Sequence, residues 1–301
     1  MIPFVRDFDF AYGVAAHVSP LVRRVVARNA GRFTGPGTGT LLVGESEVAV
    51  IDPGPDRDDH FAALNSALEG RRLTHVLVSH NHMDHSALAH RLARHHDAVV
   101  CGRAGGSSED ESGAARLEAA DDRGFVPDHE IEDGELFGGR GWTLEAMHTP
   151  GHTAGHYCFD LHQERTLLCG DHVMGWSTSI VTPPDGHMGD YLASLRKIRD
   201  RMYARLIPTH GPAIDAPDAF VAAYIDHRLM RRSQILDRLV RGDATTREIV
   251  SALYPDIDPA LRPAAAIAVW AHLIHLVEEG HALADPLPEL GARYQVRRRA
   301  A

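Results

Sequence analysis

Short apolar runs closed by glycine, aspartate or serine recur through the first hundred positions: LVRRVVA (21–27), TLLVG (40–44), EVAVID (47–52), THVLVS (74–79) and AVVCG (98–102). Runs of this length, rich in β-branched residues, predict strands. The turn GPGTGT (35–40) separates the first two. Between them, DDHFAALNSALEG (58–70) and DHSALAHRLARHH (84–96) repeat apolar residues at intervals of three and four, the helical period. A second series, WTLEAMH (142–148), HYCFDL (156–161), RTLLCGD (165–171) and RLIPTH (205–210), is broken once by the helical GDYLASLRKIRDRM (189–202). Two strand-rich halves with helices fitted outside predict an α/β fold of the αββα sandwich type. The Gly-, Ser- and acid-rich stretch Ala104 to Gly124 reads as an exposed loop or helix edge.

From about Asp226 the pattern turns wholly helical. RLMRRSQILDRLVRG (228–242), TTREIVSALYP (245–255) and PAAAIAVWAHLIHLVEEG (263–280) predict three helices, the second opened by a capping box of Thr245 and Glu248. GHALADP (280–286) then turns back as a short wing. The division expected is a large domain over 1–226, a small winged-helix-like helical domain over 227–285 and a tail over 286–301. A winged helix suggests DNA, but its third helix carries only Arg262 near its start and ends in Glu278 and Glu279. A wall for a site in the larger domain is the better reading.

Composition narrows the classes. With 301 residues, 44% of them hydrophobic and 24% charged, the chain can bury a full core. No apolar run is read as approaching the roughly 20 residues that span a bilayer, and MIPFVRDFDF lacks a signal-peptide pattern. The expectation is a cytoplasmic protein with no membrane partner. Cys101, Cys158 and Cys169 are odd in number and far apart, which predicts reduced core thiols. Net charge is −10, with 20 basic against 32 acidic residues before His227 and 11 against 9 from there on. That balance disfavours a nonspecific nucleic-acid binder.

The candidate chemistry begins in VLVSHNHMDHSALAH (76–90), where His80, His82, Asp84 and His85 follow an apolar strand. Downstream, MHTPGHTAGH offers His148, His152 and His156, but Pro150 and Gly151 forbid a helix that would stack them. A turn there projects His152, and ordinary strand hydrogen bonds are expected of His148 and His156. LLCGDHV ends a strand with Asp171, and LIPTHGP ends another with His210. Five histidines and two aspartates at strand ends can supply two neighbouring metals, because imidazole and carboxylate are ligands that zinc accepts.

Taken in order, the HxHxDH, TPGHT, GD and THGP motifs resemble those of the metallo-β-lactamase-fold superfamily. The resemblance implies the αββα sandwich, two Zn²⁺ per chain (Mn²⁺ or Fe as alternatives) and hydrolysis by a metal-bridging hydroxide. It assigns His80, His82 and His152 to the first metal, Asp84, His85 and His210 to the second, and Asp171 to both. Asp52 in VAVIDPGPD would orient ligands by hydrogen bonds. Asp84 would also orient the water and shuttle its proton. Two dications against two aspartates and a hydroxide leave the centre positive, so anionic substrates are acceptable. True β-lactamases lack the bridging aspartate, which the relatives hydrolysing thioesters, lactones and phosphodiesters possess. FTGPGTGTLLVG, GDHVMGWSTSIVTPPDG and the helical end narrow the resemblance to the branch with a C-terminal winged helix, which includes thioesterases and single-strand endoribonucleases. The expected substrate is an acyl thioester or ester, small or carried on an acyl carrier, with Ser177, Thr178 and Ser179 as candidate pocket residues. RNA is the alternative substrate. A DNA-binding regulator with a vestigial hydrolase fold comes third, and glyoxalase II, with its different C-terminal domain, is a weaker variant of the first.

Overall fold

The apolar runs of the first half become strands β1 (Ala16–His17), β2 (Val22–Val26), β3 (Gly39–Val43), β4 (Glu47–Ile51), β5 (Arg72–Leu77), β6 (Val99–Gly102) and β7 (His129–Glu130). Helices α1 (Asp58–Leu68), α2 (Met83–Ser86) and α3 (Ala89–His96) lie between β4 and β6. The second half adds β8 (Leu136–Gly139), β9 (Trp142–His148), β10 (Tyr157–Leu161), β11 (Thr166–Leu168), α4 (Met188–Asp200) and β12 (Arg205–Ile207). It is followed by α5 (Pro217–Val240), α6 (Thr246–Leu253), α7 (Arg262–Glu278) and the hairpin β13 (Ala282–Asp285) and β14 (Arg293–Val296). The structure is a computed structural model that describes residues 1–5, 7–104, 121–242 and 244–297. Most of the stretch expected as an exposed loop lies outside the described residues.

Two sheets face each other. The first has the order β1-β2-β3-β4-β5-β6-β7 and the second β12-β11-β10-β9-β8. Strands β4 to β7 run parallel, and so do β11 and β12. The parallel pairs β4–β5, β5–β6 and β11–β12 are joined through α1, through α2 with α3, and through α4, as the crossover geometry of parallel strands requires. Between the sheets, Leu41, Val43, Ile51 and Leu77 meet Trp142, Leu144, Phe159 and Ile207. Leu64 and Leu68 of α1 with Leu92 of α3 cover the outer face of the first sheet. Leu192 and Leu195 of α4 with Phe220 and Tyr224 of α5 cover the second. This is the expected αββα sandwich. Strands β2 and β3 are buried throughout, and Arg23 and Arg24 within β2 are buried by bonding to the carbonyls of Ala67, Gly211 and Pro208.

The C-terminal helices build their own core from Ile235, Leu239, Ile249, Trp270, Leu273 and Tyr294. The capping box forms as expected, with Thr245 accepting from the Glu248 backbone and Glu248 from Thr245. The wing is the β13–β14 hairpin.

Three expectations need correction. The helix over 84–96 is broken in two, because Gly54 donates its N–H to His85 O (3.1 Å) and accepts from Leu88 N (3.1 Å), diverting backbone bonds that a continuous helix would use. The helix expected from Asp226 begins at Pro217, whose lost N–H costs nothing at a first turn, so residue 226 lies within α5. Finally, Pro259–Glu278 is 20 residues long and apolar enough to cross a membrane, with mean hydropathy 1.5, contrary to the reading above. Ile267, Val269, Trp270 and Leu273 of that helix form the small core.

Candidate metal centre

The candidate residues sit at one edge of the sandwich, at strand ends. Asp52 follows β4, His80 to His85 run from β5 into α2, His152 lies in the β9–β10 turn, Asp171 follows β11 and His210 follows β12. Two glycines make the turns possible. A Cβ on Gly151 (φ +135°) would lie 2.3 Å from Tyr191 Cα, and one on Gly170 (φ +49°) would lie 2.6 Å from His156 Nε2. Each therefore lets its neighbour, His152 or Asp171, pass close to packed atoms.

All seven predicted residues converge. Ligand atoms of His80, His82 and His152 form one group within 4.8 Å of one another, and those of Asp84, His85 and His210 form another. Asp171 lies between them. Its Oδ2 is 3.5 Å from His210 Nε2, 3.6 Å from His85 Nε2 and 4.0 Å from His152 Nε2. His80 Nε2 is 2.9 Å from His82 Nδ1, and His210 Nε2 is 3.2 Å from Asp84 Oδ2. All seven are buried.

Hydrogen bonds behind the rings decide which nitrogen faces inward. His85 Nδ1 donates to Asp52 Oδ2 (2.9 Å), His152 Nδ1 to Ile180 O (2.7 Å) and His210 Nδ1 to Gly37 O (3.2 Å). Carbonyl and carboxylate oxygens only accept, so each Nδ1 carries a proton and each Nε2 is the nitrogen turned to the centre. His80 Nδ1 lies 3.0 Å from Ser79 Oγ, which itself donates to Asp52 Oδ2 (2.9 Å). Inside, His85 Nε2, His152 Nε2 and Asp171 Oδ1 are buried with no hydrogen-bond partner. Buried lone pairs left facing one another are costly unless a cation takes them, so the donor set fits divalent metal.

Charge agrees. Burial lowers the pKa of His85, but Asp84, Asp171 and Asp52 overcome it and hold the imidazole well above its usual range. His210 is likewise raised, by Asp171 and Asp84 against burial. Burial raises the Asp84 carboxyl, yet His85 and His210 bring it down to about 2. Asp171 is pushed down further by His210 and His85 against the same burial. His82 drops to about 3 through burial and the nearby His152. The side of His85 and His210 is thus built to hold positive charge beside carboxylates, whereas burial keeps His80 and His82 neutral.

His148 is outside this group: its Nε2 bonds Ala154 O (2.9 Å). His156 is buried, contacts Thr149 Oγ1 through Nδ1 (2.9 Å), and accepts from the Asp171 backbone at 3.2 Å. Both make the strand hydrogen bonds expected of them. The sequence reading missed Thr209, whose hydroxyl donates to Asp52 Oδ2 (2.7 Å), and the buried Arg228, stacked over Tyr191 at 5.0 Å and bonded to Ser179 O. Neither had a sequence signal, since THGP is marked by its histidine and RLMRR reads only as the start of a helix.

A cavity of about 270 Å³ opens on the centre, with His82, Asp84, His152, Asp171 and His210 at its floor. Met174, Trp176, Ile180, Val181 and Met188 line one side, and Ile257, Leu261, Ala264, Ala265 and Ala268 the other. Ser177, Thr178 and Ser179 line it as expected, although Ser179 Oγ is committed to His172 O (3.0 Å). Among the described residues, Arg32 and Arg228 are the cationic side chains in its wall.

Comparison with known proteins agrees with this architecture. Residues 32–210 match the metallo-beta-lactamase superfamily and residues 245–286 the beta-lactamase associated winged helix domain. A beta-lactamase-like protein 2 homolog of Caenorhabditis elegans is 30% identical over 275 residues, covering 88% of each chain. An atrochrysone carboxyl ACP thioesterase of Pseudocercospora fijiensis is 29% identical over 264 residues, 82% of this chain and 73% of the relative. A solved beta-lactamase domain protein from Burkholderia ambifaria superimposes with TM-score 0.80 at 19% identity, covering 98% of this chain and 96% of its own. A metallo-beta-lactamase family protein from Thermus thermophilus gives 0.74 at 23% identity, covering 93% and 100%.

Proposed function

The chain belongs to the metallo-beta-lactamase superfamily and is a metal-dependent hydrolase; from that premise we propose that it holds two zinc ions and hydrolyses acyl thioesters or esters, small or carried on an acyl carrier. His80, His82 and His152 would hold one ion, Asp84, His85 and His210 the other, with Asp171 shared. When bound, the ions would lower the pKa of a water, polarise the acyl carbonyl and offset charge on the leaving thiolate. Imidazole with carboxylate suits zinc, and manganese or iron would fit the same donors.

The chain's own residues supply placement. Asp84, ionised by the fields of His85 and His210, lies in the cavity floor, where its carboxylate orients the attacking water and relays its proton to the departing sulfur or oxygen. The bond from water oxygen to the acyl carbon forms, the acyl carbon–sulfur bond breaks, one proton of the water leaves on the thiol and the other passes to solvent as the carboxylate departs. Asp52 fixes the His85 ring through Nδ1, and Ile180 O fixes His152. The apolar walls exclude bulk water and receive the acyl body.

The observation that carries the substrate class is the cavity: apolar on both sides, metal donors at its floor, and few cations in its wall. A single-stranded RNA would need several Lys or Arg contacts to its phosphates, whereas Arg228 is already spent on Ser179 O and Tyr191. The thioesterase name of a relative supports the same reading. Three buried free thiols favour a reducing compartment such as the cytoplasm.

The test is a side-by-side assay of acyl thioesters and single-stranded RNA, with Asp84→Asn as the blank. Thioester hydrolysis should show the higher kcat/KM and change little between low and moderate salt. RNA cleavage that is faster, strongly suppressed by salt and absent in Asp84→Asn overturns the reading.

A further inference from the structure

We propose that His187, His275 and Glu278 form a separate divalent-cation site, of zinc type, that clamps the winged helix to the catalytic domain. His187 precedes α4 in the catalytic domain, whereas His275 and Glu278 lie one turn apart on α7. Their ligand atoms lie within 4.8 Å of one another. His187 Nε2 is 2.7 Å from Glu278 Oε2, and His275 Nδ1 is 3.8 Å from the same oxygen. Bonds of about 2.0–2.2 Å at tetrahedral angles place zinc ligands roughly 3.3–3.5 Å apart, so small side-chain rotations bring all three onto one ion.

Two further features point to a cation. One is the ring of His187, whose Nδ1 is 3.0 Å from Asp190 Oδ2; the His275 ring has Glu279 Oε1 near its Nε2 at 3.7 Å, a charge contact rather than a hydrogen bond. For His187 that is the carboxylate–histidine–metal pattern, in which the proton sits on the outer nitrogen and the lone pair on the inner one. Gly189 makes room, because a Cβ there would lie 3.0 Å from His187 Cε1 and 3.0 Å from His275 Nδ1. The competing arrangement keeps the proton on His187 Nε2, which then donates to Glu278 while Nδ1 caps α4; it binds no ion.

The position gives the site a consequence for the cavity. His187 donates its backbone N–H to Gly151 O (2.9 Å), next to His152, and Met188 lines the cavity that α7 closes. An ion here would fix the seam between α4 and α7, and with it the width of the substrate cavity.

The experiment compares full-length wild type, His275→Ala and Glu278→Gln after equilibrium dialysis against micromolar zinc, by elemental analysis and thermal unfolding. Wild type should carry one zinc per chain more than either variant, whatever the number held by the catalytic centre, because that centre is the same in all three. Added zinc should raise the wild-type Tm by roughly 5 °C more than that of the variants. Alanine is favoured within a helix, and Glu278→Gln keeps a hydrogen-bond acceptor for His187, so both variants should fold. Equal zinc content in the three proteins, with equal thermal response, overturns the proposal.

Discussion

Replacing Asp52 by asparagine changes almost no volume but should disable one ligand of the centre. Asp52 is fully buried; Oδ1 accepts from Ser79 N (2.8 Å), while Oδ2 accepts from Ser79 Oγ (2.9 Å), Thr209 Oγ1 (2.7 Å) and His85 Nδ1 (2.9 Å). An amide in the same place offers one acceptor and one NH₂ donor. If the oxygen stays on Ser79 N, the NH₂ faces the other three groups. The two hydroxyls can rotate and accept, but His85 must move its proton to Nε2, the nitrogen that faces the centre. If the amide flips, two N–H donors face each other at Ser79. Each alternative costs about 1–3 kcal/mol of a buried, charge-assisted hydrogen bond, and the first removes a metal-facing lone pair. Loss of such an orienting partner weakens metal binding by about 10- to 100-fold, or about 1.4–2.7 kcal/mol. Asp52→Asn should therefore fold, keep the His80 group loaded and lose metal from the His85 group, giving about half the wild-type content by elemental analysis at limiting zinc. Wild-type metal content and wild-type kcat/KM would refute the assigned tautomer of His85.

Three further outcomes follow from the same geometry. Asp171→Ala should lose metal and abolish hydrolysis, whereas His148→Ala should keep both; equal loss in the two, measured by elemental analysis, would mean the wrong histidines of MHTPGHTAGH were chosen. Ala268→Phe should fill the cavity between α7 and the metal centre and shift preference to shorter acyl chains, so an unchanged chain-length profile would place the acyl body elsewhere. Thr245→Ala removes one half of the capping box and should lower unfolding free energy by about 1 kcal/mol in denaturant titration while leaving metal content unchanged.

The seven converging residues were legible because strand ends in this fold carry them as short fixed motifs, some of them beside a glycine that permits the turn. Gly151 beside His152 and Gly170 beside Asp171 are visible in the sequence as TPGHT and GD, and the space around them explains both. What supports those residues was less legible, because it comes from far along the chain. Asp52 was expected to orient ligands, but that Thr209 completes its shell depends on β12 packing beside β11. The break between α2 and α3 has no signature in DHSALAHRLARHH, whose period runs on unbroken; it is imposed by the backbone of Gly54. The early start of α5 was missed for a related reason. Phe220, Val221, Tyr224 and Ile225 pack on the second sheet, so their spacing served the sandwich before the helix entered the small domain.

Continuity of α5 also settles how the winged helix is used here. The same helix contributes Phe220 and Tyr224 to the sandwich and Ile235 and Leu239 to the small core, so the small domain is anchored through a rod shared with the sandwich. That anchoring sets α7, the helix that would read a DNA groove, with Ala271 packed into the sandwich core and Ala264, Ala265 and Ala268 facing the cavity above Asp171. A helix so engaged on its small-residue face cannot also enter a major groove by that face. Its alanines are better explained by the room they leave: larger side chains there would close the approach to the metal donors. The winged helix therefore forms part of the wall of the cavity that holds the candidate metal donors, and the length and apolarity of α7, which alone would suit a membrane span, answer to two packed surfaces at once, the small core on one side and the cavity wall on the other.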